Sequence, residues 1–163
     1  MTGATMLPEF DHEMANTRKA LERIPEDRLD FKPHERSWSL RELGGHLANL
    51  PRWMAMTLNT TELDLDDPID RPDFETRADI LSAFDVSVRE ARTALAAASA
   101  DDLMVTWSLK AGDQVAFALP RAGVIRSFVL NHSIHHRGQL SVYLRLVGAP
   151  VPALYGPSAD EQE

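Results

Sequence analysis

The sequence predicts an all-α four-helix bundle with a crossover connection and a small β-hairpin before the last long helix. Three observations lead there. Four long stretches repeat apolar residues at helical spacing. One pair of short segments, 105–109 and 115–119, instead keeps large apolar residues at alternate positions. The Pro- and acid-rich run 59–75 is long enough to carry the chain across the bundle. At 163 residues the chain is expected to form a single domain, 1–163, with one sizeable core.

The first helix is expected over 8–24. Pro8 suits a first helical position, where its missing N–H is harmless. Phe10, Met14, Thr17, Leu21 and Ile24 make the apolar stripe, and Pro25 stops the helix. His12 lies off the stripe and reads as a solvated side chain. Residues 25–38 form a connecting loop, and Trp38 at its end reads as a lid on the core.

The second helix follows Ser39, because Ser39-Leu40-Arg41-Glu42 has a capping-box pattern. It is expected to run to about Leu58. Leu43, Leu50, Trp53 and Thr57 fall within about 60° of His46, so His46 points inward among apolar residues. Gly44 and Gly45 each cost about 1 kcal/mol of helix stability against alanine. Close approach of another helix beside His46 is one use for them. Pro51 should bend the helix one turn later. The acidic run after it, with Glu62, Asp64, Asp66, Asp67, Asp70, Asp73 and Glu75 against Arg71, reads as a solvated loop. It lacks the regular ligand spacing of a calcium loop.

The third helix covers 76–99 on a stripe of Ile80, Phe84, Val88, Ala91 and Leu95, and reads as scaffold. The hairpin follows, and two strands alone are marginal, so they should pack on the helices. The fourth helix is expected over 121–147. Ile125, His136, Gln139 and Tyr143 fall within about 40° of His132. Gly148, Pro150 and Pro152 end it, and the tail 151–163 is expected to fray.

The totals exclude several chemistries. With no cysteine, disulfides, thiolate metal sites and a protein-borne thiol nucleophile are ruled out. A net charge of −8, from 25 acidic against 17 basic side chains, opposes a generic nucleic-acid binder. No uncharged apolar run approaches the roughly 18 residues of a membrane span. The first eight residues carry no basic region followed by an apolar stretch, so no signal peptide is expected. A cytoplasmic location is the expectation.

His132 and His136, four residues apart on one helix, lie on one face with Cβ atoms roughly 5–6 Å apart. Two imidazoles at that spacing can close on one metal ion. A pair of His132 and His135 is also sterically possible. His46 is the candidate third ligand. Three inward histidines would each need partners in an apolar interior, and a shared divalent ion satisfies all three at once. Three imidazoles without a thiolate leave a position open for water or an incoming thiol. Nitrogen ligation suits zinc or nickel. Gln139 and Asn131 are candidates to support the ligands from behind.

Two stretches, Trp38-Ser39-Leu40-Arg41-Glu42-Leu43-Gly44-Gly45-His46-Leu47-Ala48 and Asn131-His132-Ser133-Ile134-His135-His136-Arg137-Gly138-Gln139-Leu140, resemble the DinB/YfiT-like family. That family comprises bacterial metal-binding four-helix bundles. The tail from Leu144-Arg145 to Tyr155-Gly156-Pro157-Ser158 shares its look. The resemblance implies a three-histidine divalent metal site, carried here onto His46, His132 and His136, and a homodimer formed through helix packing. It also implies a metal-dependent enzyme of small molecules. Family members with an activity include thiol-dependent S-transferases that use bacterial low-molecular-weight thiols; others are regarded as metal-dependent hydrolases. The catalytic group would be the water or thiol at the open position. The competing expectation is a non-catalytic, metal-stabilised dimeric binding protein linked to stress. Neither a nucleic-acid nor a membrane partner is expected.

Overall fold

The computed structural model describes residues 2–68 and 72–162; Asp70 and Arg71 of the acidic run, and Glu163 at the end of the tail, lie outside the described residues. The chain is mostly helical with a small three-stranded sheet. Each predicted helical stretch is helical, but two are interrupted, so the segments outnumber the four expected.

Helix α1 (Gly3–Glu22) starts five residues before Pro8 and carries that proline inside it. Its early start has a packing cause. The Gly3 N–H donates to the Ala98 carbonyl at 2.9 Å, and a Cβ on Gly3 would lie 1.8 Å from the Leu95 carbonyl oxygen. The predicted stripe of Phe10, Met14, Thr17, Leu21 and Ile24 is buried. A short 3₁₀ turn (Glu26–Arg28) follows Pro25.

Helix α2 (Leu40–Asn49) opens on the predicted capping box: Ser39 Oγ accepts from the Glu42 N–H, and Glu42 Oε2 accepts from the Ser39 N–H. Pro51 divides the predicted second helix, and α3 (Arg52–Asn59) continues beyond it. The two glycines before His46 are packing positions. A Cβ on Gly44 would meet Ile24 and Ile80, and one on Gly45 would lie 2.6 Å from the Phe74 ring.

Residues 59–75 are not all loop, as the sequence suggested. Strand β1 (Glu62–Asp64) pairs parallel with β2 (Thr106–Ala111), which pairs antiparallel with β3 (Gln114–Pro120). Three residues without an alternating pattern cannot signal a strand; β1 exists because an edge of β2 is available to it. Helix α4 (Arg77–Ala97) begins at the Thr76 cap and buries Ile80, Phe84, Ala91 and Leu95. A short α5 (Ala100–Met104), capped by Ser99, leads to the hairpin. As expected, the hairpin packs on helices: Phe117 stacks on Phe128, ring centroids 4.5 Å apart, and Trp107 is fully buried.

The last predicted helix is three pieces, α6 (Arg121–Val124), a π-helical segment (Ile125–Asn131) and α7 (His132–Leu146). The wider π turn changes the phase, so the face computed at 100° per residue holds only downstream of His132. Nor does the described part of the tail, 151–162, hang free of the bundle. Asp160 pairs with Arg145 and accepts from the Val151 N–H, while Glu161 pairs with Arg23. Helix α7 is locked to α1 by Arg137, which is 1% exposed. Its guanidinium donates to the Glu13 carboxylate, the Glu13 carbonyl, Thr17 Oγ1 and the Tyr155 hydroxyl.

Candidate metal centre

Helix α2 carries His46 and α7 carries His132 and His136, and the packing of α2 beside α7 brings the three rings together. His46 Nε2 lies 3.4 Å from His132 Nε2, which lies 2.8 Å from His136 Nε2. One ligand atom from each ring falls within 4.8 Å of the others. With zinc–nitrogen bonds of about 2.0–2.1 Å, two ligand nitrogens sit about 3.3 Å apart at a tetrahedral angle and about 2.9 Å apart at a right angle. The two short spacings match those cases, and the three ligand atoms all lie within 4.8 Å of one another, so the group could hold one small divalent ion.

The protonation state fits as well. Burial, then the neighbouring charges of His136 and His132, pushes His46 down to about 4. Burial also lowers His132, against a hydrogen bond with the Phe128 backbone, and lowers His136, against its bond to Gln139. All three rings are therefore held toward the neutral form that ligates. The His136 Nδ1–H donates to Gln139 Oε1 at 2.7 Å, which leaves the lone pair on Nε2. His132 uses its Nε2 toward the other rings, so its bond to Phe128 falls to Nδ1. Two neutral rings so arranged aim lone pairs at each other across 2.8 Å. That contact is repulsive unless a cation lies between them, and burial disfavours supplying it as a proton.

The other predicted residues divide. Gln139 is hydrogen-bonded to His136 and sets its tautomer. Asn131 is exposed at the end of the π segment, and no hydrogen bond joins it to the histidines among the described residues. His135 is exposed and outside the cluster, its ring centroid 4.8 Å from that of His136, so the ring pair is His132 with His136. His12 is exposed, as expected, with its Nε2 3.1 Å from Asn16 Nδ2.

Sequence reasoning misplaced Trp38. It is not a core lid: it is 45% exposed and lies on the site, with its ring 4.9 Å from His46 and 5.4 Å from His136, stacked on the latter at 28°. Its position directly before the Ser39 cap was the available signal, since His46 lies two turns along the helix that the cap starts. The π segment was equally invisible, because no side-chain pattern distinguishes it from α-helix.

Among the described residues no helix is long and apolar enough to cross a membrane. The chain is 24% identical over 159 residues to the uncharacterised protein YrdA of Bacillus subtilis (strain 168), covering 95% of this chain and 89% of that one. Two crystal structures share the fold. A DinB-like protein from Bacillus cereus ATCC 10987 superposes with a TM-score of 0.73 at 20% identity, covering 92% of this chain and 95% of the other. A DinB-like protein from Bacillus subtilis, YjoA, gives 0.72 at 18% identity, covering 98% and 99%. The sequence model of the DinB family matches residues 1–163. With that match over the whole chain, and with fold neighbours of the same kind, the protein belongs to the DinB family.

Proposed function

We propose that the protein is a divalent-metal-dependent enzyme of small molecules, with His46, His132 and His136 as the metal ligands. The observation that carries this reading is the convergence of three neutral imidazole nitrogens, two of them 2.8 Å apart. Zinc or nickel suits three nitrogen donors. An ion bound by three protein ligands retains Lewis acidity toward a thiol or water at a remaining position. The reaction class is thus thiol S-transfer or hydrolysis. Because the chain has no cysteine, the thiol would enter as a low-molecular-weight cosubstrate. The protein's own residues hold the ion, keep Nε2 free through Gln139, and limit water around the rings by burial. The arrangement as a single four-helix-bundle domain that forms a homodimer belongs to this reading.

Elemental analysis of freshly purified protein tests the ligand set. About one metal equivalent is expected in the wild type and in His135→Ala. Each of His46→Ala, His132→Ala and His136→Ala should lose most of it. Metal retained in His136→Ala, or lost in His135→Ala, overturns the assignment. The loaded protein is then offered low-molecular-weight thiols with an electrophile panel, and esters and amides without thiol. Thiol-dependent adducts identify the transferase and thiol-independent product release the hydrolase. Stoichiometric metal with no turnover in either arm refutes catalysis and leaves a metal-stabilised binding protein.

A further inference from the structure

Three tryptophans are present, and two are accounted for by packing. Trp107 is fully buried and Trp53 is partly buried against the core. Trp38 is different: it is 45% exposed, and its ring contacts are with His46 and His136. Leaving that much indole in water forgoes hydrophobic stabilisation that burial would provide. The segment carrying it is nonetheless held in place. The Leu40 N–H donates to the Phe31 carbonyl at 3.0 Å, the Ser37 N–H to the His34 carbonyl at 2.9 Å, and the Ser39–Glu42 capping box follows at once. A large, rigidly mounted and half-exposed aromatic beside a group of polar ligating atoms has the make-up of a small-molecule contact.

We propose that Trp38 is a specificity-determining wall of the three-histidine site, favouring ligands that carry a planar aromatic group next to the atom presented to the metal. The inference rests on the metal reading above and names the ligand class for it. The indole bears on two of the three rings, so its exposed part borders the approach to their nitrogens. A planar ring seated there gains offset or edge-on contact with the indole, which an alkyl group of similar reach does not. A cationic group is disfavoured, because the ion held by the histidines repels it at short range. The ligand is therefore neutral or anionic, with its aromatic ring adjacent to the donor atom.

The test uses cobalt(II)-loaded full-length protein and two probes with the same donor group, acetohydroxamate and benzohydroxamate, followed through the visible absorption of the cobalt. Trp38→Ala should weaken benzohydroxamate about five- to tenfold while acetohydroxamate stays within about twofold. Trp38→Phe should keep most of the aromatic preference. Equal weakening of both probes makes Trp38 a support of the site's structure and overturns the wall, as does no change in either. The metal reading fails separately: wild-type protein that develops no cobalt spectrum overturns it, and the wall with it. A normal cobalt spectrum with an unaltered probe preference in Trp38→Ala sinks the wall alone.

Discussion

Replacing Arg137 with leucine would leave the Glu13 carboxylate without its cation, deep between α1 and α7. The two side chains are 1% and 8% exposed, with Arg137 Nη2 2.6 Å from Glu13 Oε2. The same guanidinium donates to the Glu13 carbonyl at 2.8 Å and to Thr17 Oγ1 at 3.0 Å. Removing one partner of such a pair costs about 3–5 kcal/mol, chiefly because the other charge stays buried. For a chain of this size each kcal/mol moves Tm by about 2–4 °C, so the expected fall is about 6–20 °C. Urea denaturation followed by circular dichroism at pH 7, with chelator present so that metal binding adds nothing, measures the loss directly. The double variant Arg137→Leu with Glu13→Leu should recover most of it, since it removes both charges and substitutes apolar volume. Arg92→Ala, which breaks the exposed pair with Asp11, should change stability by less than about 1 kcal/mol. A loss under about 1 kcal/mol for Arg137→Leu, or a double variant no more stable than the single, refutes the claim that this buried pair locks α7 to α1.

Three further outcomes follow from the site. In metal-free protein His46 sits at about 4, below the ordinary value of 6.5 that it regains on unfolding. Its contribution to stability is therefore whole above about pH 6.5 and is lost as pH falls toward 4. Metal follows the same sign: content measured after equilibration should be level from pH 8 to 7 and drop steeply between about 6 and 4. Metal unchanged at pH 4 would rule out histidine ligation. Gln139→Leu removes the acceptor that sets the His136 tautomer and should weaken metal binding about 10- to 100-fold by chelator competition, with little change in the metal-free Tm. An affinity within twofold of wild type would deny Gln139 that role. Gly45→Ala places a methyl 2.6 Å from the Phe74 ring and should cost about 1–3 kcal/mol in urea denaturation. A neutral or stabilising result would show that the ring moves aside freely.

The legible parts of this protein were those encoded by local periodicity. His132 and His136 are four apart within a regular helix, and no tertiary contact was needed to place them on one face. The Ser39–Glu42 box and the stripe from Phe10 to Ile24 are likewise properties of short stretches, and the structure has them. The Pro51 break is local too. What could not be read depends on partners distant in the chain. Helix α1 extends back to Gly3 because the Leu95–Ala98 turn lies against it; β1 forms because β2 offers an edge.

The same division runs through the site. Residue type and spacing marked His46, His132 and His136 as able to ligate, because imidazoles at one helical turn share a face whatever surrounds them. Only the packing of α2 beside α7 decided that the third ring meets the pair; the bond from His136 to Gln139, three residues along α7, is local. That packing also put Trp38 over the rings instead of in the core. Helical phase is a property of backbone geometry within one segment, whereas the meeting of two helices is set by their packing partners along the whole chain.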